Sequence, residues 1–193
     1  MDSSNLIAPG YGSATRASAG YTIQETLITL AIAGMLLSTG VGFTRLLLST
    51  QQSTQLNTLV ADLNLARIEA IRRSQAVSVC RSASGTDCEG GNTWHEGWIV
   101  FVDANSDGVL DEDETIVRYG EPLAGGTTVR FGAFGPGGGA YLTYAPSGIS
   151  LKNGTFTFCQ ANATLAPKAV ILNVAGRPRV SDKNSSDGPL TCP

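Results

Sequence analysis

From Tyr21 to about Arg45 the chain is apolar on every side; the apolar positions then narrow to a stripe, and beyond Arg73 they alternate with polar ones. Between Glu25 and Arg45 lie nineteen positions without a charge. As a helix they rise about 28 Å at ~1.5 Å per residue, close to the ~30 Å hydrocarbon thickness of a bilayer. Further on, Leu56, Leu59, Val60, Leu63, Ala66 and Ala70 recur at spacings of three and four, with Gln52, Asn57, Asp62, Asn64, Arg67 and Arg72 on the opposite face. This period predicts one helix from about Thr22 to about Ser74, apolar all round in its first half and amphipathic in its second. Gly34, Gly40 and Gly42 are weak points that a membrane or a packed filament tolerates better than water does.

Past Arg73 the period changes to that of strands. AVSVCR, GWIVFV, TIVRY, TTVRF, AYLTY, TFTFC and KAVILNV are rich in β-branched and aromatic residues and are separated by Gly, Asn, Asp and Pro, which predicts about seven strands. The expected class is α+β: a long N-terminal helix, membrane-spanning in its first half and amphipathic in its second, packed on a β-rich globular head. The segments are then a polar leader over 1–20, a transmembrane or assembly half-helix over 21–45, an amphipathic half-helix over 46–75 and a head domain over 76–193. A head of that size suits a single core. The leader is expected to be disordered and cytoplasmic, in keeping with Arg16 and the positive-inside tendency. The Gly-rich run from Gly132 has neither the lysine nor the spacing of a phosphate-binding loop and reads as a mobile connection.

Charge adds a division that the net value of −3 conceals. Six of the sixteen acids lie between Asp103 and Glu114, whereas from Thr115 onward seven Lys or Arg face three acids, so the C-terminal half is locally basic. The four cysteines, Cys80, Cys88, Cys159 and Cys192, avoid metal-ligand spacing. Behind an export-type anchor they read as two disulfides with three possible connectivities. The preferred one joins Cys80 to Cys88 across a short loop and Cys159 to Cys192, pinning the tail.

A carboxylate at the edge of an apolar run needs a cation, and the nearest available one is the amine freed at Tyr21 by a cut after Gly20. Gly20, Tyr21 and Glu25 thus resemble the cleavage and methylation signal of type IV pilins and pseudopilins. The resemblance implies a prepilin peptidase as partner, N-terminal methylation, retention of the apolar helix in the inner membrane, and later assembly with other pilins through that helix. The ARIEAIRR, VCRS, GWIVFVDANSDGVLDEDE, YAPSG and GRPR segments, in that order, are similar to the FimT/FimU and GspH group of minor pilins and pseudopilins.

Two constellations carry candidate chemistry. Asp103, Asn105, Asp107, Gly108, Asp111 and Glu114 match a calcium loop in which the Val109 carbonyl would be a further ligand. Strand-like flanks favour a solvated acidic turn, with no cofactor, over calcium at this loop, the one cofactor considered. The second is Gly176-Arg177-Pro178-Arg179. In an extended segment Arg177 and Arg179 share a face about 6.6 Å apart, and Pro178 argues for an exposed edge. A GRxR motif resembles that of FimT-type minor pilins, which implies DNA capture in natural transformation. Lys168, Lys183 and Arg130, together with Lys152 and Arg118, are candidate supporting charges. The alternative is a solvated turn in a purely structural or priming subunit, FimU-like, or in a GspH-like pseudopilin of type II secretion. No enzyme is expected, since the single histidine, His95, has no nucleophile pairing. Trp94 and Trp98 read as packing residues.

Overall fold

The computed structural model describes residues 20–133, 138–161 and 165–192, with residues 36–43 described by their backbone alone. The expected leader over 1–20 thus lies, except for Gly20, outside the described residues, as does the middle of the Gly-rich run. The chain divides into two compact units, Met1–Val41 and Gly42–Pro193.

Helix α1 covers Ile23–Arg73. Thr22 opens it, its Oγ1 accepting from the Glu25 N–H at 3.3 Å, and Ser74 closes it at φ 54°, the left-handed turn that follows many helices. In its first turns the Thr26 and Thr29 hydroxyls donate to carbonyls three residues back. Tyr21, Ile23, Leu27, Leu30 and Met35 stand exposed there, Tyr21 by 82%. Among the described residues no helix is long and apolar enough to cross a membrane. The expected spanning half over 21–45 is therefore not reproduced: Thr22, Gln24, Glu25, Thr26 and Thr29 dilute its start, and side chains 36–43 fall outside the description.

In the second unit the described residues form eight strands, one more than the alternation suggests. They are β1 Val77–Arg81, β2 Trp98–Val102, β3 Ile116–Gly120, β4 Thr127–Ala133, β5 Tyr141–Tyr144, β6 Gly154–Gln160, β7 Lys168–Leu172 and β8 Pro178–Ser181. Two antiparallel sheets result, ordered β3-β2-β1-β5 and β4-β6-β7-β8. A short 3-10 turn, Trp94–Glu96, precedes β2.

One core joins the three parts. Leu56, Leu59, Leu63, Ala66 and Ala70 of α1 meet Val77, Val79, Val100, Leu142 and Tyr144 of the first sheet and Val129, Phe131, Phe156, Phe158, Val170 and Leu172 of the second. Phe131 and Phe156 stack at 4.0 Å with Trp94 edge-on to both, and Trp98 is buried as well. The helix is clasped over a wider arc than its apolar stripe implies. Gln52 and Asp62, expected on the solvent face, are buried, because Gln52 donates to the Ala166 carbonyl and Asp62 accepts from the Trp98 indole at 2.9 Å. Burial pushes the Asp62 carboxyl up, against the lowering effects of the Trp98 bond and the nearby Arg118 charge. The disulfides join Cys80 to Cys88 and Cys159 to Cys192.

Candidate nucleic-acid interface

The second basic constellation is placed by the β7–β8 hairpin. The apolar strand Lys168–Leu172 turns at Asn173, whose carbonyl accepts from the Gly176 N–H at 2.9 Å and whose Oδ1 accepts from the Arg177 N–H at 3.1 Å. Gly176 sits at φ +72°, and an added Cβ there would lie 2.2 Å from the Gly148 carbonyl oxygen. Only glycine satisfies both the backbone angle and that approach. The same Gly148 oxygen accepts from Arg67 Nε of α1 at 2.9 Å, and the Ser150 N–H donates to the Val174 carbonyl at 3.0 Å. The YAPSG turn and the GRPR turn are thus locked to each other and to the helix.

Beyond this pinned turn the chain enters β8, an edge strand. Pro178 pairs with Leu172 and Arg179 with Ile171. An edge is where a proline without an N–H is tolerated. Arg177 and Arg179 are both exposed, and neither guanidinium has a hydrogen-bond or ion-pair partner among the described residues. The backbone is fixed while the charges remain free.

The structure sorts the candidate supporting charges. Arg130 on β4 is exposed and lies on the same face of the second sheet as Arg179, in the neighbouring row Arg130–Thr157–Ala169–Ser181. Lys183 is exposed just past β8. Three others are engaged elsewhere. Lys168 pairs with Asp182 at 2.5 Å, and Arg118 lies 3.4 Å from Asp62. Lys152 is only 8% exposed, with its Nζ 3.2 Å from the centre of the Tyr141 ring and no hydrogen-bond partner. Desolvation holds its ammonium below the usual lysine range.

In the acidic loop several carboxylates accept from amides of the loop itself. Asp103 is fully buried and accepts from the Ser78 hydroxyl at 2.5 Å, the Gly108 N–H at 3.0 Å and the Asp107 N–H at 3.2 Å. Asp107 accepts from the Val109 N–H, and Glu114 from the Ala104 and Asp111 N–H groups. The Asn105 amide donates to Asp107 and Asp111, occupying those carboxylates with its own protons. Among the described residues no group of three or more His, Cys, Asp or Glu is placed to hold a metal. The loop is a β2–β3 connection closed on itself, with Asp103, Asp107 and Glu114 each accepting from backbone N–H groups.

Gly20 and Tyr21 precede α1 and are exposed, with Glu25 in its first turn. His95 Nδ1 lies against the Val129 backbone, 3.3 Å from its N–H. Sequence reading gave no role to Asn92, Thr155, Thr157 and Asn184, which line a groove with Arg130. The signal was present in the alternation of TFTFC, whose threonines face away from the core phenylalanines.

The GspH family, described as type II transport protein GspH, matches residues 55–176. The chain belongs to the GspH family. The group to which its FimT-like and GspH-like segments pointed, minor pilins and pseudopilins, is thereby shown. The type IV minor pilin FimU of Pseudomonas aeruginosa is a similar solved structure, at 22% identity and TM-score 0.53, over 75% of this chain and 96% of that one. The minor pseudopilin EpsH from the type 2 secretion system of Vibrio cholerae shares 14% identity at TM-score 0.48, over 68% and 96%. No curated protein matches. The match to this GspH-family chain ends at Gly176, and Arg177 and Arg179 lie just beyond the matched residues.

Proposed function

We propose that this GspH-family protein is a minor type IV pilin that enters a pilus, at or near its tip, and binds DNA without sequence preference for uptake in natural transformation. In this reading a prepilin peptidase cuts after Gly20, the amine of Tyr21 is methylated, and the helix rests in the inner membrane with the head in the periplasm. Assembly with other pilins through the helix then carries the head to the surface. The exposed Tyr21, Ile23, Leu27, Leu30 and Met35 support that part, since apolar side chains in such number call for lipid or neighbouring helices.

The observation that carries the DNA reading is the pair of exposed arginines, unpartnered among the described residues, on a hydrogen-bonded edge strand. Each guanidinium can take one backbone phosphate, and the locked backbone means that little order has to be gained on binding. Phosphate contacts carry no sequence information. Their signature is salt dependence, with a slope of about −0.9 in log K per duplex phosphate contact.

The family assignment itself favours a second reading, a subunit of type II secretion or a priming pilin without a nucleic-acid role. Titration of fluorescent duplex DNA with the full-length protein in non-ionic detergent separates the two. The DNA reading expects binding at low salt that is lost in Arg177→Ala/Arg179→Ala. Equal binding by that variant, or none by the wild type, removes it.

A further inference from the structure

The Gly176–Arg179 turn is not the whole basic surface of the second sheet. A groove of ≈ 250 Å³ lies on the outer face of that sheet over β4 and β6, lined by Arg130, Thr155 and Thr157, by Asn92, and by Asn184 and Thr191 of the C-terminal tail. The tail wall is built rather than draped. Asn184 Oδ1 accepts from the Ser186 and Gly188 N–H groups, both at 2.9 Å, and Asn184 Nδ2 donates to the Pro189 carbonyl. Lys183 bridges to Pro189, and Cys192, next to Thr191, is bonded to Cys159 on β6. Arg130 is steadied by Asn92, whose Oδ1 accepts from its Nη1 at 3.4 Å.

We infer that this groove is a second backbone-phosphate subsite, taking a phosphodiester on Arg130 with threonine hydroxyls and asparagine amides as neutral donors, so that one nucleic-acid strand runs from the β8 edge to β4. The inference rests on the DNA reading and extends it. Arg179 and Arg130 lie on one face of the sheet, three strand steps apart. With ~4.8 Å per step and a row offset of ~6.6 Å along the strands, that is about 16 Å, the axial span of about five phosphates on one strand of a duplex. No aromatic ring lines the groove among the described residues, so the subsite offers a strand's backbone hydrogen bonds and charge but no stacking platform for its bases.

The test is the salt dependence of duplex binding by the full-length protein in non-ionic detergent, between 50 and 200 mM salt. Three phosphate contacts, from Arg177, Arg179 and Arg130, predict about a 40-fold fall in affinity for the wild type and about a 12-fold fall for Arg130→Ala. Arg130→Lys should restore the steeper dependence. Replacing both Cys159 and Cys192 by Ser frees the tail wall, which carries neutral donors; it should weaken binding while leaving the slope unchanged. An Arg130→Ala protein that matches the wild type in affinity and slope overturns the subsite while the turn still binds. Full binding by Arg177→Ala/Arg179→Ala overturns the DNA reading at the turn instead, and a wild type that binds no DNA overturns both.

Discussion

The acidic loop after β2 and the basic turn before β8 are both short, glycine-containing and densely charged, yet they use their charges in opposite ways. In the loop, Asp103, Asp107 and Glu114 accept from nearby backbone N–H groups and Asn105 donates to two carboxylates. Its charge is spent on holding its own shape. In the turn, the shape is held by groups other than its two arginine side chains: the Asn173 acceptors, the Gly148–Gly176 approach with Arg67 on the Gly148 carbonyl, and the pairing of Pro178. The guanidiniums of Arg177 and Arg179 have no partner among the described residues and remain available. A dense charge motif therefore points outward only where something else fixes the backbone.

Breaking the scaffold of the turn should have the largest effect. Gly176→Ala places a Cβ 2.2 Å from the Gly148 oxygen at φ +72°. The combination of left-handed strain and overpacking should cost about 3 kcal/mol in denaturant unfolding and weaken DNA binding even though both arginines are intact. A variant with unchanged stability would show that the two turns are not locked together.

A smaller effect belongs to Lys152, the buried cation over Tyr141, whose ring also lies against Gly108 of the acidic loop. Its ammonium is held below the usual range by desolvation. The folded state therefore binds fewer protons than the unfolded state between the lowered value and 10.5. Stability should rise with pH through that window. Lys152→Met should stabilise the protein by about 1 kcal/mol at pH 7 and flatten the rise toward pH 10. A destabilised variant would mean that the cation–π contact outweighs the desolvation.

For calcium the expected effect is nil. Since Asp103, Asp107 and Glu114 already accept from backbone N–H groups, millimolar calcium should leave the melting temperature where it is. A rise would show that the carboxylates leave those amides to gather round an ion.

Much of this contrast was legible in the sequence, though unevenly. The three-and-four spacing from Leu56 to Ala70 gave the helix and its buried face, and Pro178 between two arginines pointed to an edge. β8 itself escaped notice, because Pro178-Arg179-Val180-Ser181 is too short and too polar to stand out; it becomes a strand only by pairing with the apolar β7. The burial of Gln52, Asp62 and Lys152 was not visible either. Their partners, Ala166, Trp98 and Tyr141, lie 114, 36 and 11 residues away along the chain, and no local period encodes such meetings. The acidic loop meets the same limit: the calcium pattern fixes where carboxylates fall in sequence, not whether backbone amides reach them.

The most direct measurement is the affinity of the full-length protein for duplex DNA at 50 mM salt, wild type against Arg177→Ala/Arg179→Ala. Loss of two duplex phosphate contacts should abolish most of the binding and make the residual slope of log K against log salt shallower by about 1.8. An unaltered affinity and slope in the double variant would contradict the account.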